Sequence, residues 1–328
     1  MVQRDPGYQP KLDYAANEHF PCLADVVKIQ CDEEFGRHLV AKSDIPYGKV
    51  VLLEEKFAVT DVGDFSMCYT CFRENSNFIA CKGCTEVVFC SLECMNRNQT
   101  HGWECGKFIG RVYLPNNVKV QCGTNRMRLV AQTLLTAIST FADIVTLMQF
   151  VEKMLREDPD QLPSSLHDQV SKYHFFFKLK KRMVDPLDDV KRVFLYTMTL
   201  PKIRAMFDSE EKQRFFMHLV AHHSFVVDTN SFGNDLKSSV ENVGSLLNHS
   251  CDPNITTCDF GKIKSHMTCR PIKKGEQLLT TYIDMNLSKE LRQEKLRKIW
   301  GFECKCKKCV STDDSDEINT PPTLDPTT

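Results

Sequence analysis

The spacing of apolar residues changes several times along this chain, and the changes divide it. From Val26 to Val62 the pattern is strand-like, with a turn at Ile45-Pro46-Tyr47-Gly48 feeding the run Val50-Val51-Leu52-Leu53. Between about Arg126 and Arg156 the period lengthens. Met127, Val130, Leu134, Ile138, Phe141, Val145 and Met148 step by three or four residues, which predicts one helical stripe. More helical sequence occupies roughly 165 to 225, with Pro186 and Pro201 as breakers. Strand character returns after 225 and runs to Ile283. There a second turn, Pro271-Ile272-Lys273-Lys274-Gly275-Glu276, leads into Gln277-Leu278-Leu279 and echoes the first turn-and-strand unit. Ser288 to Trp300 reads as a charged helix. Residues 1–25 are expected to form an irregular lead-in, and 311–328, rich in Ser, Thr, Asp and Pro, a disordered tail.

Composition narrows the class. At 328 residues the chain can hold one large domain with an insertion, or two domains. A net charge of −1 offers no global attraction to nucleic acid or an anionic membrane. Leu129 to Val151 lacks Lys and Arg but is interrupted by Gln132, Thr133, Thr136, Asp143 and Gln149, so it is expected to be a buried helix and not a membrane span. Met1 to Pro10 has no apolar signal core. Lys172 to Arg182 interleaves basic and aromatic residues. It reads as an amphipathic helix, aromatics inward and lysines in water, in preference to a nucleic-acid site.

Sixteen cysteines change the picture, because eleven fall at metal-ligand spacings. That usage points to a reducing compartment, cytoplasm and/or nucleus, with Cys22, Cys31, Cys122, Cys258 and Cys269 left as ordinary thiols. Cys68, Cys71, Cys81, Cys84, Cys90, Cys94, His101 and Cys105 supply eight ligands, enough for two closed tetrahedral zinc sites. Interleaved pairing (Cys68, Cys71, Cys90 and Cys94 against Cys81, Cys84, His101 and Cys105) is expected, with sequential pairing as the alternative. Cys304, Cys306 and Cys309 make a third set that needs a distant fourth ligand, for which Cys251 is the candidate. Few aliphatics lie among the first eight ligands, so metal must replace a core there.

The order C-C-C-C-C-C-H-C resembles the MYND zinc finger, and the resemblance implies binding of proline-containing peptides. Further on, Asn248-His249-Ser250-Cys251-Asp252-Pro253-Asn254, then GEQLLTTYID, then FECKCKKC resemble the SET domain and its post-SET zinc segment. Together, over about residues 26 to 310, the chain resembles the SET-and-MYND family of protein-lysine methyltransferases. This implies an α+β class: a SET-domain β-fold with a pseudoknot, a helical insertion, a MYND zinc finger insert and a post-SET zinc segment. The expected division is a lead-in (1–25), the N-terminal part of SET (26–63), the finger (64–106), a helical linker and SET insertion (107–225), the C-terminal part of SET (226–285), post-SET (286–310) and the tail (311–328).

The same resemblance implies S-adenosylmethionine and three Zn2+ ions as cofactors and a protein substrate lysine, histone or non-histone, as partner. It places Gly36, Arg37, His38, Ser245, Leu246, Asn248, His249, Tyr282, Trp300 and Phe302 around the cofactor. Asn230 and Phe232 flank the methyl-transfer channel, and Tyr282 is the catalytic residue. Such a site fits the chemistry. In-line methyl transfer needs orientation and exclusion of water, and the attacking amine must be neutral although its free pKa is about 10.4.

Three departures stand out. The family's second glycine in G-x-G is His38, read here as an ordinary surface side chain. Trp300 stands where the family usually has tyrosine. No helical repeat sequence follows the last cysteines, which leaves a more open cleft or one completed by a partner. The alternative function is therefore a weakly active or inactive adaptor that recruits proline-rich partners, for instance in transcriptional repression. Direct nucleic-acid binding and membrane association are not expected.

Overall fold

The structure, a computed structural model, describes residues 9–61, 67–74, 77–106, 122–182, 187–233 and 237–310. Pro186, the side chain of Cys122 and the tail from 311 lie outside these residues. Residues 9–25 hold no regular strand or helix, yet Leu23 and Ala24 are fully buried and bridge to Leu52 and Ala16. Strand β1 (Val27–Asp32) pairs antiparallel with β2 (Gly36–Ala41), followed by β3 (Val50–Glu55) and β4 (Ala58–Asp61). The finger contributes β5 (Ile79–Ala80), β6 (Val88–Phe89), α1 (Leu92–Arg97) and α2 (His101–Glu104).

A helical layer follows: α3 (Cys122–Thr140), α4 (Ile144–Arg156), α5 (Gln169–Phe177), α6 (Leu187–Met198), α7 (Pro201–Met206) and α8 (Glu210–Asn230). The expected single stripe from 126 to 156 is two helices that turn by 109° between Thr140 and Ile144. Asp143 causes the break: extended itself, it accepts the Thr146 amide at 2.9 Å and starts α4 as its N-cap. Val145 consequently leaves the buried face. No single helix among the described residues is long and apolar enough to cross a membrane. Helix α8 also runs five residues past the expected boundary at 225, so strand structure begins only at Ser231.

The aromatics of α5 do point inward: Tyr173, Phe175, Phe176 and Phe177 are buried. Lys178, however, is not in water. Its ammonium donates to the carbonyls of Met154 (2.8 Å), Glu157 (3.3 Å) and Asp158 (2.8 Å), the acceptors a helix C-terminus leaves open.

After α8 come β7 (Ser231–Gly233), β8 (Lys237–Val240), β9 (Asn248–His249), β10 (Ile255–Phe260), β11 (Ile263–Thr268) and β12 (Leu279–Thr280). They complete several small sheets with orders β10-β11-β3, β4-β8-β7 and β12-β9. The last pairing is parallel, so the chain makes a long excursion through β10 and β11 before lying beside β9. The two echoing turns clasp each other: Ile45 and Ile272 exchange backbone hydrogen bonds of 2.8 and 2.9 Å. Gly48 (φ 76°) and Gly275 (φ 85°) supply the left-handed residue that each turn requires. Helices α9 (Lys289–Ile299, capped by Ser288) and α10 (Lys307–Val310) end the described chain.

Candidate active site and metal centres

The ligand side chains gather in three groups: Cys68, Cys71, Cys90 and Cys94; Cys81, Cys84, His101 and Cys105; and Cys251, Cys304, Cys306 and Cys309. The interleaved pairing is the observed one. Within each group the ligand atoms lie within 4.8 Å of one another, for example Cys90–Cys94 at 3.5 Å and Cys251–Cys304 at 4.0 Å, too far for disulfides. A tetrahedral zinc with bonds of about 2.3 Å needs thiolates about 3.8 Å apart, so the donor sets fit that ion. No disulfide joins the described cysteines. Helix α1 positions Cys94 through its cap, Ser91, and His101 opens α2 with Nε2 3.2 Å from Cys81 Sγ.

The finger is fixed to the rest of the chain. Tyr69 bonds Glu104, which also accepts Gln132 of α3 at 2.9 Å. Trp103 Nε1 donates to Ser139 Oγ at 2.8 Å. On another side the Cys71 carbonyl accepts the Lys262 amide at 2.8 Å, at the β10–β11 turn.

Cys251 lies two residues beyond β9 and reaches the terminal thiols, with its sulfur 3.5 Å from Cys309 and 4.0 Å from Cys304. The buried guanidinium of Arg292 sits beside Cys309 and Cys251, where it offsets thiolate charge. This centre lies against the tyrosine that sequence singled out. Tyr282 donates its phenol to the Leu247 carbonyl at 2.7 Å, and its amide donates to His249 Nδ1 at 3.0 Å. Burial pushes the Tyr282 phenol well above its ordinary range, so it is a proton donor and not a base. Trp300 stands 5.1 Å from the Tyr282 ring, and Phe302, partly exposed, 6.1 Å from His249.

The other sequence-selected residues fall around this core or behind it. Asn248 Nδ2 reaches the Phe35 carbonyl at 3.3 Å, next to Gly36, and β2 packs on the short turn Gly244–Leu246. Gly36 has φ 62° and open space beside it. Arg37 commits Nη2 to the Lys178 carbonyl (2.6 Å) and Nε to Asp160 (3.6 Å), leaving Nη1 buried without a partner. His38 is not a surface residue: it is buried, with Nδ1 2.8 Å from the Gly36 carbonyl and Nε2 3.6 Å from Asp32. Asn230 spends its amide on the carbonyls of Lys180 (2.6 Å) and Val226 (2.8 Å). Trp300 donates to the Thr229 carbonyl at 3.2 Å, which ties the end of α8 to the tyrosine. Phe232 lies under the Lys264 ammonium at 4.6 Å.

Sequence reasoning missed a buried charge cluster below this site. Glu54 accepts the amides of Asn242, Val243 and Gly244, while Glu241 accepts Lys264 and His266. Burial and the field of Glu241 raise the Glu54 carboxyl to about 7. Burial opposes charge on Glu241 too, but the hydrogen bonds from His266 and Lys264 prevail and hold it at about 2. The signal was present: Glu54 continues the inward parity of Val50 and Leu52.

A parallel β9–β12 pairing, a tyrosine returning to the β9 approach and a four-thiol centre completed by Cys251 define a SET fold with post-SET segment and MYND finger. The SET domain family model matches residues 36–283, and the chain belongs to that family, in its SET-and-MYND form. A SET and MYND domain-containing protein of Dictyostelium discoideum is 26% identical over 322 residues, covering 86% of this chain and 81% of that protein. SET domain and MYND-type zinc finger protein 6 of Schizosaccharomyces pombe is 25% identical, covering 88% of this chain and 52% of its own length. N-lysine methyltransferase SMYD2 of Homo sapiens is 22% identical, covering 75% and 51%. The chain thus spans about half the length of the latter two relatives. Among solved structures, the SET domain of LSMT bound to lysine and AdoHcy aligns over 85% of this chain and 53% of that one, with 15% identity and a TM-score of 0.38.

Proposed function

We propose that the protein is a protein-lysine N-methyltransferase using S-adenosylmethionine, acting on histone or non-histone lysines. One observation carries this most directly: the Tyr282 phenol, kept protonated, is aimed at the Leu247 carbonyl beside Asn248 and His249. Bound against Ser245, Leu246, Asn248, His249 and Phe302, the cofactor would supply an electrophilic methyl on a sulfonium. Arg37 Nη1, buried without a partner, is a donor that the cofactor's carboxylate would satisfy.

The chain's own work is positional. Tyr282 and the Leu247 carbonyl orient the incoming amine, which has already given its proton to water. Trp300 and Phe302 exclude water and present π faces to positive charge. The three ligand groups would hold zinc in closed sites with structural roles. Proline-containing peptides are the proposed partners of the finger, and thiol-rich clusters suit cytoplasm and/or nucleus. The second reading, an adaptor, draws on Trp300, whose indole N–H is spent on Thr229 and which offers no hydroxyl.

Calorimetric titration of zinc-loaded protein with the cofactor, followed by methyl transfer to a broad protein extract, tests both. Saturable binding is expected in wild type and Tyr282→Phe alike, with transfer lower by about two orders of magnitude in the variant. Absence of heat at millimolar cofactor favours the adaptor. Equal transfer by both proteins removes Tyr282 from the catalytic role.

A further inference from the structure

Four ionisable side chains meet in the interior behind the proposed site, where methyl transfer has no direct use for them. Glu54 on β3 and Lys264 on β11 are opposite one another in the antiparallel ladder, and His266 lies two residues further along β11. Glu241, just beyond β8, accepts Lys264 Nζ at 2.8 Å and His266 Nε2 at 3.0 Å. Glu54 does not join that pair. It accepts three successive amides, Asn242 (2.9 Å), Val243 (3.0 Å) and Gly244 (2.8 Å). All four side chains are buried, Glu241 completely.

A gain in stability over an apolar cluster of the same shape does not account for this arrangement, although breaking it once formed is costly. Each buried ion costs several kcal/mol of desolvation, and apolar residues of the same shape are often as stable. What the cluster does is fix geometry. The three amides held by Glu54 open the turn Gly244–Leu246, whose exit residue is Leu247, and the Leu247 carbonyl takes the Tyr282 phenol. Gly244 is packed so closely on Glu241 that a Cβ would collide with its carboxylate. Lys264, held by Glu241, stands 4.6 Å over the Phe232 ring. One ionic cluster therefore sets both the tyrosine's acceptor and the aromatic that resemblance places at the lysine channel.

We infer that Glu54 is a positioning residue for methyl transfer, with Glu241 and Lys264 as its support: it sets the Leu247 carbonyl and, through it, the direction of the Tyr282 hydroxyl. The inference rests on the methyltransferase reading above. Glu54→Gln keeps the volume but turns an NH2 toward amide donors. Glu55→Gln is the control, since the neighbouring Glu55 is exposed and pairs with Lys172 and Lys262.

In Glu54→Gln, kcat should fall about tenfold or more, while cofactor Kd and lysine-substrate KM stay within about twofold, as expected for lost orientation. Amide hydrogen exchange should quicken over residues 242–248 and stay slow across the β3–β11 ladder. Glu55→Gln should change neither. If Glu54→Gln does not fold, Glu54→Asp, which keeps the carboxyl and withdraws it by one methylene, should show the same split at smaller size. A folded Glu54→Gln with kcat within about twofold of wild type overturns the inference, and so does protection lost evenly over the whole sheet. Should wild type transfer no methyl group at all, the methyltransferase reading fails on its own. The exchange pattern then still decides whether Glu54 holds the turn.

Discussion

His249 stands between the Cys251 thiol and the proposed catalytic tyrosine: its Nε2 is 3.3 Å from Cys251 Sγ and its Nδ1 accepts the Tyr282 amide at 3.0 Å. Because Nδ1 accepts, Nε2 carries the proton, and it points at a sulfur that is a good acceptor as a thiolate. One imidazole thus couples the third centre to the position of Tyr282. His249→Leu keeps bulk and deletes both bonds. Methyl transfer should drop about a hundredfold with cofactor binding weakened and the finger's two ions retained. Removing only the third ion with a chelator should produce the same loss. Full activity in either case would show that Tyr282 is held by other means.

Gly83 lies inside the Cys81–Cys84 knuckle, and a Cβ there would stand 2.8 Å from Cys105 Sγ, closer than carbon and sulfur tolerate. Gly83→Ala should therefore cost one equivalent of bound zinc, read by elemental analysis, because a closed tetrahedral site cannot shift one ligand freely. Gly102→Ala, also in the finger but with open space around it, should keep the full complement.

These centres were legible in the sequence because ligand spacing is local and because three thiols demand a fourth. The echo of the two turns was legible as well, although the clasp between Ile45 and Ile272 was not, since pairing depends on how the chain closes. Three readings failed for tertiary reasons. The stripe from Met127 to Met148 kept its period across Asp143, so only the cap itself marked the break. Lys178 and His38 were placed in solvent by residue type, whereas helix carbonyls of α4 and the β1–β2 corner claim them. Glu54 drew no reading from the sequence, although its inward parity distinguishes it from Glu55.

The finger's attachment can be tested at Gly261, which has φ 64° and abuts the Cys71 carbonyl so tightly that a Cβ would collide with it. That carbonyl is the acceptor for Lys262. Gly261→Ala should lower stability by about 1–2 kcal/mol from backbone conformation alone, with the collision added. Gly275→Ala, at φ 85° with nothing nearby, should show only the first part. A larger shift of the denaturant midpoint at 261 than at 275, with the finger cleaved sooner by protease, is the expected result. Equal shifts would mean the finger adapts without loss.

Acid should weaken the interior cluster in a way that can be attributed to Glu241. Its carboxyl is lowered from 4.5 to about 2, so the stability it contributes is complete above 4.5 and is lost as pH falls toward 2. At about 1.4 kcal/mol per pKa unit this amounts to roughly 3 kcal/mol. Glu241→Gln leaves Lys264 and His266 without their charged acceptor, and at pH 7 it should be less stable by about 3 kcal/mol or more. Acid also protonates the metal ligands, in wild type and variant alike. The informative quantity is therefore the stability difference between the two proteins at each pH, with bound zinc measured alongside. Between pH 7 and 5 that difference also carries the titration of Glu54, whose carboxyl burial and the Glu241 charge raise to about 7, and below 4.5 it should narrow as Glu241 itself takes up a proton. A gap that stays constant down to pH 3 would mean that the ionisation of Glu241 is not what separates it from its glutamine replacement.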